Sequence, residues 1–386
     1  MKKYLEKNVY EALQDRLKFI FDNFDNIYVS FSGGKDSGLL LNMVLSYKRR
    51  NKIAKKIGVF HQDFEAQYQT TTDFVSRMFE NNLRDIEPYW VCLPMGSRCA
   101  VSNYQMYWYP WDPDKEELWV RPMPKMPYII NMDNNPFDFY RYKMVQEDLY
   151  AEFGEWYSRQ KKGKTICLLG IRADESLNRY RAYANDRKTI MQGNQWTTKM
   201  GENWWNAYPI YDWTTKDVWI ANGKFDYDYN RIYDLFWKAG LSISQMRVAS
   251  PYHESAKESL NLYRVLEPAT WVRVVSRVQG ANFGAIYGSS HALGARKIEL
   301  PPGHTWRSYV KFLLATLPEA MRRNYIEKFK TSIRFWWKKG GVVDEEAIKE
   351  LEACNYPIRH NGKSNYKSSL RQILCRGLRC GRLYCY

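Results

Sequence analysis

This chain is poor in what several protein classes require. Its seven cysteines among 386 residues are odd in number and scattered, which excludes a disulfide framework and points to a reducing, cytoplasmic setting. No apolar run approaches the roughly 20 residues that cross a bilayer. The amino end, Met1-Lys2-Lys3 followed by Leu5, Val9, Leu13, Leu17, Ile20, Phe21 and Phe24 with charges between them, reads as an amphipathic helix rather than a signal peptide. A membrane is therefore not an expected partner. Acidic residues are sparse in the last third. Residues 251–386 carry 23 Lys/Arg against 11 Asp/Glu, and residues 1–250 carry 35 against 31, so most of the net charge of +16 sits in the carboxyl third. Such a surface suits an anionic partner, a nucleic acid or an acidic protein, or serves solubility alone.

What is present is a substantial apolar fraction, 45%, and many aromatics, with 15 Trp and 30 Tyr. The informative stretch is Ser30-Phe31-Ser32-Gly33-Gly34-Lys35-Asp36-Ser37-Gly38. Ile27-Tyr28-Val29 before it reads as a buried strand. Leu39, Leu40, Met43, Val44 and Tyr47 after it recur at helical spacing. The unit is thus strand, glycine-rich turn, helix. Gly33 and Gly34 let the backbone turn tightly beside a ligand. The new helix presents unpaired N–H groups and a positive dipole end, which suit a phosphate. Ser32 and Ser37 add hydroxyls and Lys35 a point charge. The adjacent glycines and the Lys-Asp pair fit neither the Walker A loop nor the dinucleotide G-x-G-x-x-G fingerprint.

Further along, Ile57–Phe60 reads as a second strand ending in His61-Gln62-Asp63. At the carboxyl end of a strand Asp63 is placed either to meet a nucleotide or to cap a helix beginning near Ala66. A third strand is expected at Tyr89–Leu93. Residues 94–140 break the rhythm with prolines at 94, 110, 113, 122, 124, 127 and 136 and with Tyr104, Tyr107, Trp108, Tyr109, Trp111 and Trp119 between them. They read as an ordered insertion, a lid or pocket wall, whose aromatics pack in the core or stack on a base. A helix from about Phe139 to Lys162 leads to a strand at Thr165–Leu169. After it come Gly170, Arg172 and Arg179, the two arginines suited to gripping phosphate or sulfate oxygens. Tyr208–Ile210 reads as a strand, followed by a helix capped by Thr214 or Thr215. Beyond Pro251 the spacing predicts helices over Ala269–Gly280, Thr305–Leu317, Glu319–Lys339 and Asp344–Cys354. On the third of these Arg322, Arg323, Lys328, Lys330, Arg334, Lys338 and Lys339 recur with Trp336 and Trp337. The expected fold class is α/β, a doubly wound and mostly parallel sheet over residues 1–250, with a mostly helical basic region over 251–386.

The S-x-S-G-G-K-D-S run resembles the PP-loop of the ATP pyrophosphatases, the adenine nucleotide α-hydrolases. Together with G-x-R-x-x-x-S-x-x-R and P-I-x-D-W-T-x-x-D-V-W, read from Gly170 and Pro209, it resembles the phosphoadenosine phosphosulfate reductase family. The reductase-like front half joined to a helical basic region further resembles the immunoglobulin-binding-regulator A type proteins of bacteria and phages. The resemblance implies that Ser30, Ser32, Gly33, Gly34, Lys35, Asp36, Ser37, Asp63, Gly170 and Arg172 bind an adenine nucleotide such as ATP. Lys35, Asp36, Arg172 and Arg179 would serve catalysis, and Asp36 or Asp63 would place Mg²⁺. A ParB-like protein is the partner it implies. Asp212, Trp213 and Asp217 read as structural. The family's reductase tail and paired-cysteine motif are missing, so neither an iron–sulfur cluster nor sulfonucleotide reduction is expected. Cys375, Cys380 and Cys385, at C-x4-C-x4-C among arginines, are candidate redox or cluster thiols. The expectation is cleavage of ATP at the α-phosphate. The alternatives are sulfonucleotide reduction or sulfur transfer, and a nucleotide-bound regulatory module without turnover.

Overall fold

The computed structural model describes residues 6–243, 245–256, 260–287, 301–304 and 306–338. The predicted helix over 344–354, Lys339 and the candidate thiols Cys375, Cys380 and Cys385 lie outside the described residues. The chain divides into two compact units, Met1–Gly96 with Tyr109–Val248, and Ser97–Trp108 with Ala249–Tyr386.

The strands in chain order are β1 (Asn26–Ser30), β2 (Ile57–Gln62), β3 (Ile86–Val91), β4 (Ser97–Arg98), β5 (Tyr107–Trp108), β6 (Ile129–Ile130), β7 (Thr165–Leu169), β8 (Thr197–Lys199) and β9 (Trp204–Ala207). The helices of the first unit are α1 (Val9–Asn23), α2 (Lys35–Arg50), α3 (Gln69–Glu80), α4 (Gln146–Lys161), α5 (Leu177–Ala184), α6 (Thr215–Lys224) and α7 (Ile232–Lys238). A seven-stranded sheet in the order β6-β3-β2-β1-β7-β9-β8 runs through this unit, parallel except for the β8–β9 pair. The α/β class and the mostly parallel sheet expected from the sequence are what the chain adopts.

Both faces of the sheet are covered, which a parallel sheet requires. Strand alternation sorts the side chains. Ile27 and Val29 of β1, Ile57 and Val59 of β2, Ile86 and Trp90 of β3, and Ile166 and Leu168 of β7 join one core with α1, α2 and α3. Tyr28, Phe60, Tyr89, Val91 and Cys167 point the other way into a second core built on Leu149, Phe153, Trp156 and Tyr157 of α4. On the first face α1 seats Leu13, Leu17 and Ile20, and it starts with a capping box between Asn8 and Glu11.

Some element boundaries differ from the sequence expectation. The strand assigned to Tyr208–Ile210 is instead Trp204–Ala207, and Tyr208-Pro209-Ile210 forms the turn after it. The helix expected near Ala66 begins at Gln69, with Tyr68 as its N-cap. Asp63 is therefore not that helix's cap. Glu65 adopts φ +62, a left-handed conformation that stops a helix from starting there.

In the second unit β4 and β5 form a short antiparallel hairpin. Five helices follow among the described residues, α8 (Leu262–Leu266), α9 (Pro268–Arg277), α10 (Ala281–Tyr287), α11 (Trp306–Thr316) and α12 (Glu319–Lys338). Trp108 packs edge-on against Tyr252 at 4.6 Å between centroids, and the Tyr252 hydroxyl donates to Val274 O at 2.9 Å. Asn324 of α12 donates to Asn103 O at 2.6 Å. The basic residues of α12 do not share one environment. Lys328 is turned inward, 3% exposed, while Arg323 pairs with Glu319 and Lys330 with Glu327.

Candidate nucleotide site

The turn after β1 is built as a cradle. Gly33 has φ +76, and a Cβ there would meet Val75 at 3.0 Å and Thr71 at 3.2 Å, so the position needs glycine twice over. Gly34 is the N-cap of α2 and supplies no side-chain cap, so the helix's first N–H groups must find their partners elsewhere. Ser32 and Ser37 brace the turn: Ser32 N donates to Ser37 Oγ at 3.2 Å, the two hydroxyls lie 3.0 Å apart, and Ser37 Oγ donates to Gly34 O at 3.2 Å. Ser30 closes β1 beside Phe60 of β2 and Leu169 of β7.

Gly170, directly after β7, completes the cradle from the neighbouring strand. A Cβ on it would stand 2.8 Å from Ser37 N and 2.9 Å from the Asp36 carbonyl carbon. Those atoms are backbone and cannot swing aside, so the close approach exists only with glycine.

Behind the cradle lies a chain of charges. Lys35 Nζ donates to Asp36 Oδ2 at 2.9 Å, and Arg172 Nε donates to Asp36 Oδ1 at 2.7 Å. Arg172 also donates to Asp174 at 2.6 Å, to Trp213 O at 3.3 Å and to Thr215 Oγ1 at 2.9 Å. It is 1% exposed, so its fork ties β7 to the start of α6 and steers Asp36, which in turn steers Lys35. Thr214 and Asp217 form a capping box at the head of α6, and Asp212 holds Arg16 bidentately at 2.8 and 2.6 Å. These contacts match the structural role expected for Asp212, Trp213 and Asp217. Arg179 lies on α5, exposed, with its guanidinium on Glu175 rather than on the cradle.

Two cradle residues carry no sequence signal of their own. Asn230, fully buried, donates to Gly33 O and to Thr71 Oγ1, each at 2.9 Å. Tyr233 on α7 accepts from Lys35 N at 3.1 Å, and its ring lies 5.8 Å below Lys35 Nζ. Burial, reinforced by the nearby Asp36 charge, pushes the Tyr233 phenol well above its ordinary range, so it stays a neutral hydroxyl. It occupies the N–H that a phosphate oxygen would use, and it is itself a donor that can turn to such an oxygen.

The turn after β2 is built differently. Asp63, 1% exposed, takes Arg121 on both oxygens at 2.5 Å and the Trp90 indole N–H at 2.8 Å. Burial raises the Asp63 carboxyl, but the Arg121 charge, His61 and the hydrogen bonds from Arg121 and Trp90 outweigh it and hold it below the carboxylate range. Glu65, fully buried, accepts from Trp111 N at 2.8 Å and Val120 N at 3.0 Å. The aromatic insertion is thus pinned by two acids, and Trp108 and Trp111 are core residues rather than exposed stacking platforms.

Among the described residues Cys92, Cys99 and Cys167 are free and buried. Burial raises all three thiols, Cys99 to about 11 and Cys167 to about 12, so they are poor nucleophiles at neutral pH. No helix among the described residues is long and apolar enough to cross a membrane.

Comparison with known proteins bears on the whole chain. It is 35% identical over 358 residues to the uncharacterized protein YbdN of Escherichia coli (strain K12), covering 92% of this chain and 86% of YbdN. The chain belongs to the YbdN family. The family model described as Domain of unknown function (DUF3440) matches residues 240–378 of this YbdN relative. Solved structures with a similar fold include a phosphoadenylyl-sulfate reductase from Candida auris, 14% identical over 61% of this chain and 93% of that one, TM-score 0.32. The U34-tRNA thiolase NcsA from Methanococcus maripaludis is 12% identical over 75% of this chain and 84% of that one, TM-score 0.34. The NMN synthetase from Francisella tularensis is 11% identical over 78% of this chain and 100% of that one, TM-score 0.30.

Proposed function

We propose that the chain binds ATP with its phosphates in the turn after β1 and cleaves it at the α-phosphate, giving AMP or an adenylated acceptor plus pyrophosphate. The observation that carries this reading is the Gly33–Ser37 cradle itself. It combines a left-handed glycine, the uncapped amino end of a sixteen-residue helix, a buried lysine, and a second glycine, Gly170, whose lack of a Cβ lets β7 close against it. In this reading the α2 N–H groups and Lys35 hold the leaving pyrophosphate. The Tyr233 hydroxyl moves from Lys35 N to a phosphate oxygen. Arg172 acts as a positioning residue through Asp36. The work is electrostatic, since phosphoryl and nucleotidyl transfer depend on placing charge where it develops. The reductase-like family assignment stays part of this proposal, and so does its narrower immunoglobulin-binding-regulator A form.

The fit to Mg²⁺ is weaker. Both candidate carboxylates are already engaged, Asp36 by Lys35 and Arg172 and Asp63 by Arg121 and Trp90. A protein-held ion needs carboxylate oxygens that are free to coordinate it. No step is therefore assigned to a metal. The high thiol pKa values of Cys99 and Cys167 and the burial of Cys92 count against sulfur transfer through the described cysteines.

The test is product analysis with α-labelled ATP, comparing the wild-type chain with Lys35→Ala. Labelled AMP or a labelled adenylated acceptor, absent in the variant, is expected. ADP as the main product would overturn α-cleavage. Tight ATP binding without product across candidate acceptors would leave a nucleotide-bound regulatory module.

A further inference from the structure

The second unit buries a positive charge that no protein group answers. Lys328 on α12 is 3% exposed, and its Nζ has no hydrogen-bond partner. The buried cations of the first unit are each paired with a carboxylate, Lys35 and Arg172 with Asp36 and Lys48 with Asp85. In the second unit no Asp or Glu is buried among the described residues. Burial lowers the Lys328 pKa, yet losing the proton does not satisfy the group, because a neutral amine keeps N–H donors and gains a lone pair that also needs a partner. The Tyr325 ring lies 5.3 Å from Nζ. It attracts the ammonium but offers it no acceptor oxygen.

Lys328 lies where α12 meets the β4–β5 hairpin. One turn earlier Asn324 donates to Asn103 O at 2.6 Å, and the Tyr325 hydroxyl donates to Asn103 Oδ1 at 3.2 Å. Ser97 pairs with Trp108, and Cys99 N donates to Met106 O at 2.9 Å, so Ser97, Cys99 and Trp108 share the buried face of the hairpin. On that face the Trp108 indole N–H, 2% exposed as a residue, has no acceptor. The Lys328 charge draws the Cys99 thiol down, but burial outweighs it and holds the thiol at about 11, so Cys99 stays protonated and is not the missing counter-ion. Ala100 N donates to Tyr252 O at 2.8 Å, which brings the turn from Ser250 to His253 onto the same hairpin. Ser250 is buried there with its hydroxyl unpartnered. The guanidinium carbon of Arg277, another buried cation, lies 5.7 Å from the centre of the Trp108 ring.

These groups call for one kind of ligand. An ammonium and an indole N–H can only donate, and a serine hydroxyl can donate beside them. Acceptor oxygens that carry negative charge would satisfy all three and neutralise Lys328. We propose that Lys328, Trp108 and Ser250 bind a small oxyanion, of the phosphate or sulfate class, at the buried face of the β4–β5 hairpin. The site shares no residue with the cradle after β1 and does not rest on the nucleotide reading.

The experiment is calorimetric titration with inorganic phosphate and with sulfate, against sodium chloride at equal ionic strength, alongside thermal melts. It uses the full chain carrying Lys35→Ala, which removes the cradle's lysine, and compares it with the same chain carrying in addition Lys328→Met or Trp108→Phe. The Lys35→Ala chain should bind one oxyanion saturably and melt higher in its presence. Lys328→Met should weaken that binding about ten- to a hundredfold, the scale of a hydrogen bond to a charged group, and Trp108→Phe should weaken it less. Without the anion Lys328→Met should melt no lower than its parent, because an unanswered buried charge is replaced by an apolar chain of similar length. If the Lys35→Ala chain binds neither phosphate nor sulfate, water alone serves the amine and the proposal is overturned. Equal affinity with and without Lys328→Met would overturn it too. So would a lower melting point of Lys328→Met in anion-free buffer, by making Lys328 a structural residue.

Discussion

The turns after β1 and β2 leave adjacent parallel strands and carry the same kinds of groups, yet they are built to opposite ends. After β1 an acid and two cations form an open chain, Lys35 to Asp36 to Arg172, beside a helix start with no side-chain cap. After β2 the acid is sealed. Asp63 is closed by Arg121 and Trp90, and Glu65 by the backbone of the aromatic insertion. At the first turn the helix start carries no N-cap side chain, and the Tyr233 hydroxyl takes the Lys35 N–H. The second spends its charges on holding a loop in place, and the Gln62 amide, the Gln67 amide oxygen and Arg121 Nε are left without partners.

The largest effect should come from breaking the sealed turn. Arg121→Ala leaves the Asp63 carboxylate buried and unpaired and should cost about 3–5 kcal/mol of stability, read as a lower denaturation midpoint at unchanged m-value. A loss under about 1 kcal/mol would mean that water reaches Asp63 and that the turn is not sealed. Lys35→Ala addresses the open turn. It should lower ATP turnover by about 10²–10³-fold, the scale set by removing one preorganised charge stabiliser, while the melting temperature stays close to wild type. A collapse in stability instead would assign Lys35 to the fold. Gly170→Ala pushes a methyl group against Ser37 N and should cost about 1–3 kcal/mol and weaken pyrophosphate binding together with stability. An innocuous alanine there would show that β7 does not close on the cradle.

The smallest effect concerns pH. Burial lowers the His61 pKa, with Asp63 and Phe31 O opposing in part. His61 is neutral when folded, and its Nδ1 lies 2.8 Å from Phe31 O. Because the folded pKa is below the unfolded one, its contribution is full above about pH 6.5 and is lost as pH falls from there through the folded value. The Asp63 carboxyl is also depressed, so its contribution is present above the ordinary carboxylate range and fades only in stronger acid. Chemical denaturation across pH 4–8 should therefore show a first decline just below about pH 6.5, which His61→Gln flattens. A curve flat down to pH 5 would contradict the burial of a neutral imidazole.

Much of the first unit was legible in the sequence, because β1, α2 and β7 combine strong periodicity with a glycine turn that has few structural readings. The boundaries that slipped did so for local reasons. Pro209 removes a ladder donor and ends β9 early, and the left-handed Glu65 delays α3 to Gln69. α4 begins at Gln146 rather than near Phe139, after a turn in which Lys143 adopts φ +60. Asn230 and Tyr233 could not be found from pattern, since each acts on the cradle from almost 200 residues away in the chain. The inward turn of Lys328 was equally hidden. It recurs among the basic residues of the helix, yet it lies with Tyr325, Ile326 and Phe329 among the buried ones. The orphaned amide of Gln62 has no sequence signature at all and becomes visible only when the hydrogen bonds are counted.

The most direct measurement is calorimetric titration of the full chain with inorganic pyrophosphate, in parallel with Lys35→Ala and with a control that removes the same charge at an exposed lysine, Lys18→Gln. Our account predicts one saturable site in the wild-type and Lys18→Gln proteins and no detectable binding in Lys35→Ala, with all three melting alike. Equal pyrophosphate affinity in Lys35→Ala and wild type would contradict the assignment of the turn after β1 as the phosphate cradle.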